Sequence, residues 1–369
     1  MNSQELQALV HQVLGLAFLL GMLLGGLIQR THFCTMGAIS DLVLMGDAMR
    51  LRQWVLAVVV GMLGLALAAV FGFMDPRASI YAAERFPWLS YALGGFVLGV
   101  GMVLASGCPT KNLVRLAGGS LKALVVLVFL ALGALGALRG APALLRAELE
   151  TVNTGVASGP FVGQWLAAQA GLGFEQGVLA AALLIGVPLL LWVARDARLR
   201  SGAPLQAGLG IGLVLLLAWW VSGVWGFVPE HPDTLDAVFV ATGSGRMEGL
   251  SFTAPLAQWL DLFAHAADLG LRLTFGMALV PGVVLGAGLS AWLRGEWRWE
   301  GFSRTSDLAR HLVGALLMGM GGVYAMGCSF GQGITGVSTL NWGSLLAVAA
   351  MVLGCWLTLR VQLWLAERD

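Results

Sequence analysis

Gly101-Met-Val-Leu-Ala-Ser-Gly107-Cys108 has a counterpart 220 residues later in Gly321-Gly-Val-Tyr-Ala-Met-Gly327-Cys328. In each copy an apolar stretch stops at a glycine, places a thiol at the break and continues into a short segment rich in small and polar residues. A break of this kind frees backbone N–H and C=O groups, which at membrane depth must line a cavity or be buried in protein. The two motifs therefore predict two interrupted helices that face each other and build one site.

The composition of the chain places it in a lipid bilayer. Of its 369 residues, 58% are hydrophobic and only 11% are charged, whereas soluble domains carry about 25% charged residues. The net charge of +1, without a basic tail, gives no indication of nucleic-acid binding. Four cysteines without a CxxC pair or a histidine cluster predict free thiols and no metal site. We expect no cofactor, and the sequence contains no nucleotide-binding motif.

A membrane-spanning helix needs roughly 20 predominantly apolar residues. By that measure the chain contains about nine spans, near residues 13–29, 54–73, 91–106, 121–139, 176–194, 208–227, 271–292, 311–326 and 344–365. Four stretches between them are too short or too interrupted to cross, at 34–45, 109–118, about 251–263 and 329–339. The predicted fold class is an all-α polytopic membrane protein with about nine transmembrane helices and short re-entrant half-helices.

The cysteine motifs belong to a larger internal repeat, in which Cys34 falls near Ser251. The predicted organisation is one transmembrane domain, 1–369, with a first repeat at 13–139, a linker at 140–205 that includes one transmembrane helix, and a second repeat at 206–365. Corresponding helices are five spans apart, an odd number, so the second repeat is expected to be inverted. Inverted repeats whose discontinuous helices meet near the midplane are typical of secondary transporters and channels.

The distribution of arginines predicts the orientation of the chain in the membrane. Most of them fall on one side of a nine-span topology: Arg50, Arg52, Arg195, Arg198, Arg200, Arg294, Arg298, Arg304 and Arg310, together with the C-terminal Arg360 and Arg368. Loops that carry an excess of Lys and Arg stay in the cytoplasm. We therefore expect a cytoplasmic C-terminus and an N-terminus outside.

The residue that opens a half-helix faces unpaired N–H groups and the positive end of the helix dipole, and this combination attracts anions. Cys108, which precedes Pro109 at a favourable first helical position, and Cys328, which precedes Ser329, both occupy such places. A thiol there is an S–H donor to an anion, or a thiolate of lowered pKa. The two cysteines are therefore candidate anion-binding residues.

Two basic residues follow the first of these cysteines. Lys111 and Arg115 lie three and seven residues after Cys108, on one face of the short helix. Charged groups within membrane segments usually face a polar interior, so this face predicts a cationic cavity. The alternative is that both side chains reach the cytoplasmic lipid headgroups.

The remaining cysteines differ in their surroundings. Cys34 follows a polar cluster of Gln29, Arg30 and His32 at the end of a span, and its pattern indicates a third break. Cys355 lies among apolar residues in the middle of a span, without a glycine break. We expect Cys355 to be an inert thiol in the core or facing lipid.

Several motifs together resemble one known family. They are His32-Phe33-Cys34-Thr-Met-Gly37, Phe86-Pro87-Trp88-Leu89, the 94–119 segment with Gly107-Cys108, and the 321–335 segment with Gly327-Cys328-Ser329-Phe330-Gly331-Gln332-Gly333. Over almost the whole chain the sequence is similar to the YeeE/YedE family of bacterial inner-membrane sulfur transporters, whose best understood members take up thiosulfate. Three cysteine motifs in the same order and spacing make this resemblance specific.

The resemblance implies an hourglass with a narrow waist between two cavities, and a permeation route lined by Cys34, Cys108 and Cys328. It implies that the thiols pass the anion along by successive S–H hydrogen bonds, without covalent chemistry. It also implies a partner, a soluble sulfur-carrier protein of the TusA type. We add Lys111, Ser329 and Gln332 to the predicted site; Lys111 departs from the family, whose members more often have small polar residues after the Gly-Cys pair.

The predicted function is uptake of thiosulfate, a small dianion, across the bacterial inner membrane. One alternative is transport of another sulfur or selenium species, which would use the same residues. The other is a membrane sulfurtransferase in which Cys108 or Cys328 attacks a sulfane sulfur and carries a persulfide. That reaction requires a base near the thiol, and His32 near Cys34 is the only candidate in these motifs.

Overall fold

The computed structural model describes residues 2–83, 85–155, 159–200, 202–232, 235–265, 272–302 and 304–367. Arg368, the side chain of Arg200 and residue 271 of one predicted span lie outside the described residues. The α-helices of the described chain are α1 (Ser3–Thr31), α2 (Thr35–Met45), α3 (Met49–Val70), α4 (Trp88–Leu104), α5 (Pro109–Ala117), α6 (Leu121–Arg139), α7 (Pro142–Thr151), α8 (Val162–Ala170), α9 (Phe174–Ala194), α10 (Gly202–Trp220), α11 (Thr253–Ala264), α12 (Phe275–Leu293), α13 (Thr305–Tyr324) and α14 (Trp342–Ala366).

Non-α elements are short and lie mostly between the helices. There are 3₁₀-helices at Pro76–Ala78 and Ala197–Arg200, and π-helices at Val221–Trp225 and Gly331–Gly336. Two antiparallel pairs of strands join β1 (Arg85–Phe86) to β2 (Thr154–Gly155) and β3 (Phe227–Val228) to β4 (Val238–Phe239). The predicted all-α polytopic class is therefore confirmed.

Eight candidate spans within the described chain are long and apolar enough to cross a membrane. They comprise α1 with α2, α3, α4 with α5, α6, α9, α10, α12 and α14. The predicted span outside this set, 311–326, corresponds to α13, which has 20 residues but begins with a polar turn that includes Asp307. Because that helix packs between α4 and α6, its polar turn does not displace it from the helical bundle.

Side chains at the helix ends explain where several of these helices begin. Asn2 and Glu5 form a reciprocal capping box that starts α1. The Thr274 hydroxyl accepts the Met277 N–H at the start of α12, and Asn341 caps α14 in the same way. Such caps satisfy N–H groups that a helix leaves free in its first turn.

The four predicted half-helices are all present as short elements. Three are α2, α5 and α11, and the fourth is the Gly331–Gly336 π-helix. The fourth differs in type because it contains three glycines, whose lack of a Cβ permits the wider turn. In this turn the Thr335 N–H reaches back five residues to the Phe330 carbonyl, at 2.9 Å.

Contacts between the two predicted repeats are reciprocal. Helix α1 packs on α12 as α10 packs on α3, α4 packs on α14 as α13 packs on α6, and α2 contacts α14 as α11 contacts α6. Helix α9, in the predicted linker, packs on α3 and α8. A pseudo-two-fold relation between the two halves would produce such exchanged pairs, and the inversion of the second repeat stays a prediction.

Glycines allow the closest of these helix contacts. Gly21 and Gly25 of α1 face Gly282 and Gly286 of α12, so that a Cβ at any of the four would meet backbone atoms of the other helix. This small-xxx-small packing lets membrane helices approach until their backbones touch. The interface between α1 and α12 thus holds the first repeat against the second.

We predict that Gly25→Ala destabilises the protein by about 1–3 kcal/mol, the usual cost of overpacking. The new methyl group would lie 2.8 Å from the Val283 carbonyl carbon and 2.9 Å from the Ala287 nitrogen, which are backbone atoms that cannot move aside. Gly26→Ala is the matched control, because its methyl group would meet only the Gly286 oxygen, at 3.7 Å. Melting temperatures in detergent measure both variants, and equal values would contradict this assignment.

Candidate functional site

Three helix breaks contain a left-handed residue, and two of them share the same complete backbone turn. His32, Ser106 and Met326 have left-handed backbone conformations, with φ of 50°, 54° and 57°, and each lies two residues before a cysteine. The glycines that follow two of them donate N–H groups five residues back, Gly107 to Met102 O at 2.9 Å and Gly327 to Gly322 O at 2.8 Å. This is the pattern of a Schellman turn, which ends a helix and satisfies its last carbonyls.

At each break the cysteine then opens the next helix. The sulfur accepts the backbone N–H three residues later: Cys34 from Gly37 at 3.3 Å, Cys108 from Lys111 at 3.4 Å and Cys328 from Gly331 at 3.4 Å. All three cysteines are buried. Because the sulfur accepts with a lone pair, its S–H proton remains available to another group.

An amide four residues after each repeated cysteine braces the break. Asn112 donates to the Gly107 and Cys108 carbonyls, at 3.3 and 3.1 Å, and Gln332 donates to the Ala325 carbonyl at 2.6 Å. The Gln332 oxygen accepts the Ser344 hydroxyl, at 2.6 Å. Gln332, a predicted anion ligand, thus also supports the turn. Asn112 was missed, although its identical offset from the cysteine was visible in the sequence.

The breaks meet in one central layer of the protein. The Phe330 ring lies 5.8 Å from the Phe33 ring and 5.8 Å from the Phe252 ring. The Cys34 and Cys108 thiols interact with each other, and the Cys108 thiol also lies beside the Ser329 side chain. The N-terminal ends of α2, α5 and α11 therefore converge on this layer, where their dipoles favour negative charge. We call it the waist.

Four hydroxyls at the waist lack a hydrogen-bond partner within the described part of the chain. They are Thr35, Thr110, Thr253 and Ser329, each no more than 3% exposed. An unsatisfied buried hydroxyl costs about 1–3 kcal/mol, and such groups in a folded protein usually indicate a function or a bound molecule. Sequence analysis found only Ser329 of the four. The position of the threonines in the first turn of a predicted half-helix was the signal available for the others.

On one side of the waist lie two adjoining cavities, of about 290 and 380 Å³. His32 and Lys111 line both, and Cys34 and Arg50 line the smaller. We call them together the Lys111 cavity. The Lys111 ammonium and the Cys34 thiol both line the smaller cavity, and Lys111 gives this side of the waist a positive charge.

Arg115, the second basic residue of α5, is held by an acidic loop. Its guanidinium lies 3.2 Å from the Glu300 carboxylate, which also accepts the Ser120 hydroxyl at 2.9 Å. Burial raises the pKa of Glu300, but the hydrogen bond from Ser120 and the charges of Arg115 and Lys122 outweigh it and lower the pKa. Arg115 therefore lines the Lys111 cavity with its charge largely neutralised.

On the other side of the waist lies a cavity of about 420 Å³. Its lining includes Tyr81, Glu248, Ser251 and Gly327, the residue directly before Cys328. We call it the Glu248 cavity. Neither the Lys111 cavity nor the Glu248 cavity includes Cys108 or Cys328 in its lining. Both thiols therefore lie in closed packing between these cavities.

Cys355 is separate from this arrangement. Its side chain is buried in α14 and donates to the Gly99 carbonyl of α4, at 3.3 Å. Its proton is thus used in helix packing. Among the described residues, no group of three His, Cys, Asp or Glu side chains could hold a metal ion.

Comparison with known proteins identifies the family of this chain. The sequence is 27% identical to the thiosulfate transporter TsuA of Escherichia coli (strain K12), over 91% of this chain and 91% of the relative. It is 28% identical to the thiosulfate transporter TsuA of Spirochaeta thermophila, over 92% of this chain and 96% of the relative. The family described as "Sulphur transport" matches residues 30–357. The chain therefore belongs to the sulphur transport family.

Proposed function

We propose that this protein takes up thiosulfate across the bacterial inner membrane through the waist. The observation that carries the proposal is the set of three buried cysteines, each two residues after a left-handed residue and two of them close together, at converging half-helix N-termini. The two relatives named as thiosulfate transporters, which align over nine-tenths of the chain, support this substrate.

The donors at the waist suit the two ends of thiosulfate. Its terminal sulfur accepts S–H groups from soft thiols such as Cys34 and Cys108. Its sulfonate oxygens accept the unpartnered hydroxyls, of which Thr110 follows Cys108 closely and Ser329 lies beside it. Hydrogen bonds to a charged group are stronger than neutral ones. Binding of the dianion would therefore offset the free energy lost by burying these donors without partners.

The orientation that we propose places the N-terminus outside and the C-terminus in the cytoplasm. Ion pairs join the arginine-rich segments on the side of the Lys111 cavity, as between Arg198 and Asp47 at 3.1 Å and between Arg52 and Asp196. Because basic loops stay in the cytoplasm, the Lys111 cavity is the cytoplasmic one. Thiosulfate then enters from the Glu248 cavity and leaves past Lys111.

Passage requires the waist to open, since Cys108 and Cys328 are almost inaccessible. The Phe330 ring contacts the Phe33 and Phe252 rings edge to face in this layer. Rotation of one ring would separate them without breaking a hydrogen bond. We propose that this aromatic cluster is the barrier that a passing anion displaces.

We also propose a soluble sulfur-carrier protein of the TusA type as the partner that receives the imported sulfur at the cytoplasmic face. Covalent catalysis is the competing function. It requires a base at a thiol, and His32, which lines the Lys111 cavity with Cys34, is the only imidazole in the lining of the three cavities around the waist. A persulfide on Cys34 after turnover, detected by mass spectrometry, would favour the enzyme.

Growth on thiosulfate tests the proposed substrate. A bacterial host that lacks sulfate uptake should grow on thiosulfate as its sole sulfur source when it carries this chain, and should not grow without it. Cysteine in the medium should support both strains. If the chain is present in the membrane and thiosulfate still gives no growth, thiosulfate uptake by this protein is rejected.

Substitution of the cysteines tests the role of the thiols in transport. Cys108→Ala and Cys328→Ala should each lower thiosulfate uptake at least about tenfold, because a hydrogen bond to a charged group contributes about 1.5–3 kcal/mol. Cys355→Ala is the control and should transport normally, since its thiol donates to the Gly99 carbonyl in the packing of α14 against α4. Uptake of radiolabelled thiosulfate, normalised to protein in the membrane, is the measurement. Full activity of Cys108→Ala would remove it from the site.

Substitution of Lys111 tests the role of its positive charge. Lys111→Gln should raise the KM for thiosulfate by roughly tenfold, because one unit charge near the waist is removed in a poorly screened position. Lys122→Gln is the matched control: Lys122 pairs with Asp307 at 3.3 Å and does not line the described cavities. An unchanged KM for Lys111→Gln would show that its ammonium does not meet the substrate.

A further inference from the structure

The Glu248 cavity contains an acidic residue where an anion transporter would be expected to have none. Glu248 precedes the Ser251–Phe252 break, and the cavity that it lines ends at Gly327, next to Cys328. Under the proposed function, thiosulfate must therefore pass this carboxyl before it reaches the waist. An ionised carboxylate in a confined, poorly hydrated cavity repels a dianion.

The structure holds this carboxyl firmly in place. The Ser244 N–H and hydroxyl donate to it, at 2.8 and 2.7 Å. The backbone of Glu248 is fixed as well, because its N–H donates to the Ser222 hydroxyl at 3.2 Å and its carbonyl accepts that hydroxyl. The Glu248 side chain thus cannot turn out of the cavity without breaking its two hydrogen bonds to Ser244.

No cation neutralises this carboxyl among the described residues. The other charged or titratable groups that line the cavity are Tyr81, Arg146 and Glu150. The Tyr81 hydroxyl donates to the Gly331 carbonyl, and Arg146 pairs with Glu150 at 3.4 Å. Gln258 and Thr274 are neutral, and Gln258 lies near Gly243 on the Glu248 side.

These surroundings favour the neutral acid. Burial raises the pKa of Glu248, and the hydrogen bonds from Ser244 and Gly243 offset this only in part. A buried carboxyl without a counter-ion gains a proton more readily than one in water. Glu248 is therefore placed to change its charge in response to the solution that fills the cavity.

We propose that Glu248 is a proton-binding site of the Glu248 cavity, and that thiosulfate reaches Cys328 only when this carboxyl is protonated. The inference rests on the proposed function and adds a condition for it. The proton comes from the solution outside the cell, and binding it removes the negative charge that faces the arriving dianion. Thiosulfate itself stays a dianion at mildly acidic pH, so Glu248 is the group that titrates.

The sign of the pH dependence follows from this charge. Below the pKa of Glu248 the carboxyl is neutral and thiosulfate passes; above it the carboxylate forms and thiosulfate is repelled. The uptake rate should therefore rise as the external pH falls. Well above the pKa it should drop by about tenfold for each pH unit, in step with the protonated fraction.

The test uses the full chain in proteoliposomes with the internal pH buffered and the membrane potential clamped. Initial uptake of radiolabelled thiosulfate is measured as the external pH varies from mildly acidic to mildly alkaline. Glu248→Gln, which imitates the neutral acid, should lose this dependence and transport at alkaline pH at the rate that the unmodified protein reaches in acid. Glu150→Gln, in the same cavity, should keep the dependence because Glu150 is already paired with Arg146.

A second variant keeps the inference testable if Glu248→Gln does not fold. Ser244→Ala removes one donor to the carboxylate, which should move the midpoint of the pH dependence to higher pH. An unmodified protein without pH dependence, a Glu248→Gln profile like that of the unmodified protein, or an unmoved midpoint in Ser244→Ala overturns the proton site while thiosulfate uptake stands. No uptake at any pH overturns the proposed function and the proton site with it.

Discussion

The structure depends on one constraint: a helix interrupted inside a membrane must satisfy its backbone within the protein. The two repeated breaks satisfy this constraint with the same structural features. A left-handed residue turns the chain at Ser106 and Met326, and an amide at Asn112 and Gln332 binds exposed carbonyls. The cysteine sulfur accepts the N–H of the third residue after it. The thiol therefore has a structural role that does not depend on a bound anion. Its S–H proton, which the turn does not use, is what the waist offers to an anion.

The waist separates two cavities of opposite character. Lys111 gives a positive charge to one side, where Arg50 pairs with Asp41, whereas Glu248 gives an ionisable carboxyl to the other. Reciprocal contacts between the repeats hold the breaks against each other, and the glycines of α1 and α12 fix the distance between the two halves. A dianion would thus pass the Glu248 cavity only when Glu248 carries a proton. In the Lys111 cavity it would then be attracted by the Lys111 ammonium.

Local features of this architecture were readable from the sequence, and three-dimensional ones were not. The Gly107-Cys108 and Gly327-Cys328 motifs predicted the breaks because a glycine and a thiol interrupt an apolar stretch at a constant offset. The apposition of Cys34 and Cys108 depends on how three segments pack, which spacing does not encode. Gln332 stays a predicted site residue, and its hydrogen bond with the Ser344 hydroxyl could not be read from the sequence. Glu248 lies in a connecting loop without a motif, and only its burial in the cavity reveals it.

The most direct test of this account is a structure of the protein with thiosulfate bound, in which long-wavelength anomalous scattering locates both sulfur atoms of the anion. We predict two peaks inside the waist, with the terminal sulfur within hydrogen-bond distance of the Cys34 or Cys108 thiol and the sulfonate beside Thr110 or Ser329. Peaks found only outside the waist, with no sulfur of the anion near any of the three cysteines, would contradict the account.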